Sequence, residues 1–149
     1  MRYLLLAALL AAAPAAAREK ADVLMPTDPQ ALAFQTQFGY AEAVRAGDTI
    51  YLSGVVAGPA PGEKGLVPAY ERAFARIESI LKRAGASWDD VVDITTYHRD
   101  IDAELADIST VKNRYVKAPF PTWTAIQVSR LYEPSAVTEI KVIAYKPKR

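Results

Sequence analysis

Apolar and polar residues alternate most clearly between Ala118 and Tyr145. Period 2 there places Trp123, Ala125 and Gln127 on one face of a strand and Thr124, Ile126 and Val128 on the other. After a turn, Ile140, Val142 and Ala144 form an apolar face suited to lie under a helix. The opposite face, Val137, Glu139, Lys141, Ile143 and Tyr145, is mixed, which suits contact with another subunit better than bare solvent. Such a contact would leave Trp123 and Glu139 near the mouth of an intersubunit cleft.

Upstream, Ala41 to Ala46 and Thr49 to Ala57 read as a hairpin turning at Gly47-Asp48. The Gly/Pro-rich stretch Gly58 to Gly65 ends it. The period then changes to 3.6. Tyr70, Ala73, Phe74, Ile77, Leu81 and Ala84 make the apolar stripe of a helix from about Pro68 to Ala84, with Gly85 placed for a left-handed C-cap. Val91 to Tyr97 is β-branched and strand-like, and Asp102 is an N-cap candidate for a second helix carrying Leu105, Ile108, Val111 and Tyr115. The order strand, strand, helix, strand, helix, strand, strand predicts an α+β domain, two helices on one face of a mostly antiparallel sheet.

The N-terminus stands apart. Arg2, the apolar run Tyr3 to Ala13 and Ala15-Ala16-Ala17 have the pattern of a secretory signal peptide over residues 1–17, so the mature protein is expected to be periplasmic or secreted. Residues 18–38, with Pro26 and Pro29, read as an extended arm, and 39–149 as the folded domain. Removing residues 1–17 takes away one charged side chain, Arg2, and leaves a net charge of zero. No basic surplus points to nucleic acid or an anionic membrane. With no cysteine and a single histidine, disulfides, thiol nucleophiles and Cys- or His-cluster metal sites are excluded, and no cofactor is implied.

Several stretches, in order and spacing, carry a likeness to a known family: Gly39-Tyr40, Ala43-Val44, Gly47-Asp48, Tyr51-Leu52-Ser53-Gly54, Ala84 to Ser87, Asp90-Val91-Val92, Thr95-Thr96, Pro119 to Val128, Arg130-Leu131, Glu139-Ile140 and Ile143-Ala144. From Gly39 to Tyr145 the chain resembles the Rid (YjgF) family of enamine and imine deaminases. The resemblance implies a chorismate-mutase-like subunit, a homotrimer with a central barrel, and small-molecule clefts between neighbouring subunits. It also implies hydrolysis of reactive imines to a carbonyl compound and ammonia, without a metal.

By the same resemblance Glu139 matches the glutamate that positions water. Tyr40 matches the aromatic lining of the cleft, and Ser53-Gly54 the strand end facing the ligand. Trp123 stands where the family has a carboxylate-binding arginine, Ala125 where cysteine or threonine is common, and Ser109 where a helix asparagine is common. Loss of a bidentate arginine weakens the grip on a carboxylate. A tryptophan offers a planar apolar face instead. The alternative to an enzyme is therefore a non-catalytic ligand-binding or structural trimer, with Trp123 filling an interface and Glu139 paired to Lys141. His98 reads as structural, and Asp89, Asp90 and Asp93 as a turn and solvated face rather than a calcium site.

Overall fold

The computed structural model describes residues 19–148. The signal-peptide segment 1–17 lies outside the described residues. Within them no helix is long and apolar enough to cross a membrane.

The chain begins with a short 3-10 turn, Lys20–Asp22, and strand β1, Val23–Leu24. Residues 29–38, expected as part of an extended arm, are instead helix α1, Pro29–Phe38. Proline lacks only a donor that the first helical turn leaves unused, so Pro29 opens this helix rather than blocking it. Asp28 caps it, its Oδ1 accepting from the Ala31 N–H at 2.8 Å, and Gly39 ends it with φ 70°.

β2 (Ala43–Ala46) and β3 (Thr49–Leu52) form the expected hairpin, and β4 (Val55–Ala57) continues it beyond Ser53-Gly54. α2 (Val67–Arg83) buries the predicted stripe of Tyr70, Ala73, Phe74, Ile77 and Leu81. Its end is a Schellman arrangement. Gly85, at φ 78°, donates to the Lys82 carbonyl and Ala86 to that of Leu81. β5 (Val91–His98) leads to α3 (Ile101–Tyr115), then β6 (Thr122–Gln127) and β7 (Thr138–Tyr145). Asp100, not Asp102, caps α3, because its Oδ1 accepts from the Ala103 N–H. Asp102 lies in the first turn, where its charge suits the helix dipole.

The sheet runs β1-β2-β3-β7-β5-β6, with β4 also on β7, and only the β5–β6 pair is parallel. It is the predicted α+β architecture with one further helix. α2 and α3 cover one face, where Ile50, Leu52, Ile94, Ile140, Val142 and Ala144 meet Phe74, Ile77, Leu81, Ile108 and Val111 in a single core. The other face is open and carries exposed Tyr51, Val56, Ile126 and Tyr145.

Candidate functional site

The open face is interrupted beside Glu139. Tyr51 pairs with Ile143 and Val55 with Ile140, so four steps along β3–β4 match three along β7. The extra residue is a bulge at Ser53-Gly54, and it restores Val55 and Ala57 to the core while Val56 faces out opposite Glu139. Ser53 is held by its hydroxyl, which donates to the Ala41 carbonyl at 2.7 Å. Gly54 leaves space that Glu139 uses. A Cβ at residue 54 would sit 1.9 Å from Glu139 Oε1 and 2.6 Å from its Cδ, so the carboxylate lies flat over bare glycine backbone.

Glu139 is half-buried, and among the described residues it has no ion pair and no hydrogen-bonding partner. The alternative pairing with Lys141 does not form. Instead Glu139, Gly54, Tyr97, Arg130, Tyr132 and Lys141 line one groove of about 340 Å³. A second groove, lined by Gln35, Tyr40, Ser53 and Gly54, adjoins it at Gly54. A third, on the same open face, holds Tyr40, Tyr51, Ser53 and Lys141. Four of the residues singled out from the sequence, Tyr40, Ser53, Gly54 and Glu139, are thus brought together. Glu42, following the Tyr40-Ala41 pair, also lines the second groove, but its carboxylate is already engaged. It is buried and held by Arg76 and Arg83.

Trp123, Ala125 and Ser109 are elsewhere. Trp123 pairs with Ile94 and Ala125 with Thr96, residues whose side chains face the helices, so within one chain both lie across the sheet from Glu139. Trp123 packs at the margin of the core, its Nε1–H donating to Thr96 Oγ1 at 3.0 Å. The Lys112 ammonium stands 4.6 Å over its ring, and burial lowers the pKa of that lysine. Ser109 is on α3, one turn before Lys112.

Below Trp123 runs a buried polar network. His98 Nδ1 lies 2.9 Å from Glu104 Oε2 and its Nε2 2.8 Å from Thr96 Oγ1. Thr138 Oγ1 donates to Glu104 Oε2 at 2.9 Å, the Tyr70 hydroxyl lies 2.8 Å from Thr138 Oγ1, and the Asp100 N–H donates to Glu104 Oε1. One proton assignment satisfies every group. Glu104, as a carboxylate, accepts from His98, Thr138 and Asp100; Tyr70 donates to Thr138; Thr96 accepts from Trp123 and donates to His98. Burial also pushes the Tyr70 hydroxyl up to about 12. His98, fully enclosed here, is structural as expected.

Six further groove residues, Tyr97, Val128, Arg130, Leu131, Tyr132 and Lys141, were not singled out as ligand contacts from the sequence. Lys141 was legible, being two residues from Glu139 on the same strand face. Tyr97 required the strand register, in which it pairs with Glu139. Arg130 and Tyr132 lie in the connection between β6 and β7, where periodicity gives no direction.

Among the described residues no group of three or more His, Asp or Glu is arranged to hold a metal. The family profile described as Endoribonuclease L-PSP matches residues 30–146. The RutC family protein YjgH of Escherichia coli strain K12 is 37% identical over 113 residues, which are 74% of this chain and 85% of that one. A 2-iminobutanoate/2-iminopropanoate deaminase of Capra hircus is 35% identical over 109 residues, 70% of this chain and 78% of the goat protein. A solved structure of protein YjgH superposes with a TM-score of 0.74 at 31% identity, covering 90% of this chain and all of that one. With its mixed sheet, bulged strand and family-matched sequence from α1 to β7, the chain belongs to the YjgF/Rid family, the family of the Endoribonuclease L-PSP profile.

Proposed function

We propose that this protein hydrolyses reactive imines, or the enamines that tautomerise to them, to a carbonyl compound and ammonia. The observation that carries the reading is Glu139, a half-buried carboxylate with no side-chain partner among the described residues, lying against Gly54 at the wall of a groove. A carboxylate so placed can take a proton from water as the water oxygen bonds to the imine carbon. The C=N bond becomes a single bond, and the nitrogen takes the proton that Glu139 received. The carbinolamine hydroxyl then passes its proton by way of Glu139 to the nitrogen, C=O forms, the C–N bond breaks and ammonia leaves. The named activity of the goat relative supports this chemistry.

The exposed apolar residues of the open face support a homotrimer whose copies meet there around a central barrel, with the groove at a subunit boundary. The basic and apolar start of the sequence supports export to the periplasm or beyond. The test is release of ammonia and keto product from freshly generated 2-imino acids by the mature protein and its Glu139→Gln variant. Turnover in the wild type and its loss in the variant are expected. Equal rates in both would remove Glu139 from the mechanism. Sedimentation of the mature chain as a monomer would remove the shared cleft.

A further inference from the structure

Four aromatic rings form an exposed cluster outside the core, and one of them, Tyr132, lines the Glu139 groove. Phe34 and Phe38 on α1 have ring centroids 4.6 Å apart. Tyr40 stands edge-on to Phe34 at 6.4 Å, and Tyr132 lies 6.4 Å from Phe34 and 6.0 Å from Phe38. All four are exposed, from 40% for Tyr40 to 67% for Tyr132. Tyr132 belongs at once to this cluster and to the groove of Glu139. Tyr40 in turn lines the two adjoining grooves. The aromatic surface therefore reaches the groove of the carboxylate through Tyr132, with Phe34 and Phe38 packed behind that ring.

The same groove carries two cations, Arg130 and Lys141, and neither has an ion-pair partner among the described residues. The other charged groups facing them are few. Glu139 is the only acid in the groove lining, so the groove itself is net positive before a ligand enters. A planar apolar wall beside unpaired cations matches a ligand with an aromatic ring and a carboxylate. Trp123, uncharged and across the sheet within the chain, supplies no cation to it.

We infer that the groove selects imines of aromatic α-amino acids, the aryl group lying on Tyr132, Phe38 and Phe34 and the carboxylate held by Arg130 with Lys141. This rests on the imine-hydrolase reading for the reaction but not for the binding. The experiment separates the two. Phenylpyruvate and pyruvate both keep the carboxylate and differ in the ring, and neither needs to be turned over. Calorimetric titration of the mature protein should show phenylpyruvate bound at least tenfold more tightly. Tyr132→Ala should erase that preference, and Arg130→Met should weaken both ligands. Glu139→Gln should abolish imine turnover yet keep phenylpyruvate bound. Failure of hydrolysis alone would thus count against the reaction and leave the ring preference standing. Equal affinities for the two acids, no detectable binding of either, or an unchanged preference in Tyr132→Ala would overturn the inference. So would a Tyr132→Ala change confined to the sedimentation profile, since the aromatic wall would then be covered by a second copy of the chain.

Discussion

The two faces of the sheet handle their acidic side chains in opposite ways. Under the helices Glu104 is 3% exposed and each of its oxygens is occupied, by His98, Thr138 and the Asp100 amide. On the open face Glu139 has no side-chain partner among the described residues, and its oxygen rests on a glycine whose missing side chain makes the room. Both are carboxylates on or beside the same central strands. A buried polar group with every bond made costs little and fixes the packing around it, whereas one left unpaired beside a groove remains available for an incoming molecule. Glu104 is tied into the packing of its face, whereas Glu139 is the carboxylate left free for the proposed chemistry.

The sharpest way to break that contrast is to remove each acid. Glu139→Gln should lower imine turnover by about 10² to 10⁴-fold, the usual contribution of a positioned acid–base group. Its unfolding free energy, at fixed protein concentration, should stay within roughly 0.5 kcal/mol of wild type because no bond is lost. Glu104→Ala should do the reverse. Leaving the buried donors of His98, Thr138 and Asp100 without their acceptor costs about 1 to 3 kcal/mol each, visible as a large fall in urea midpoint, while any protein that remains folded keeps Glu139 in place. A stable Glu104→Ala protein with no activity would show that the network serves the reaction instead.

Alkali tests the same face more gently. Burial raises the Tyr70 pKa to about 12 from the usual 10.0 of a tyrosine. The native state then holds a proton that the unfolded chain releases, so stability falls as pH rises from about 10 to 12. Two units correspond to roughly 2.7 kcal/mol at the top of that window. Tyr70→Phe should flatten this part of the stability curve, measured by denaturant titration across pH. An unchanged slope would mean that Tyr70 does not keep its proton through burial.

Gly54→Ala probes the open face without touching the acid. Gly54 is not among the glycines with positive φ, so alanine meets no backbone strain there, and the overlap falls on the movable end of Glu139. The carboxylate must swing away. Turnover should drop about tenfold, equivalent to about 1.4 kcal/mol, with a thermal midpoint close to wild type. Full activity in this variant would show that the resting position of Glu139 is not the working one.

The frame of this arrangement was legible because it depends on period. The apolar stripe from Tyr70 to Leu81 and the alternation through Ile140, Val142 and Ala144 each commit one face to the core, and a one-residue slip would expose all of it. α1 was not legible, since Pro29 has the same local restriction whether it ends an extended arm or begins a helix, and only the Asp28 cap and Gly39 decide. Ser53, Gly54 and Glu139 could be chosen by resemblance because they sit at fixed places at the bulge and on β7, and Tyr40 because it directly follows the glycine that ends α1. Arg130 and Tyr132 escaped because a connection's direction is set by its packing, which no repeat encodes.

Trp123 belongs to the division as its smallest test. Its place in the family pattern is that of a ligand-binding arginine, yet its indole N–H is spent on Thr96 and its ring lies under Lys112. A side chain with both its donor and its face engaged has little left for a ligand. Trp123→Phe keeps a ring for Lys112 and loses only the Thr96 bond, so it should cost about 1 kcal/mol in stability. Thr96 still donates to His98, which limits the damage. Turnover should change by less than about threefold, a difference under 0.7 kcal/mol. A larger loss of turnover with unchanged stability would place Trp123 against the ligand, and the line between the two faces would then pass between subunits rather than through the sheet.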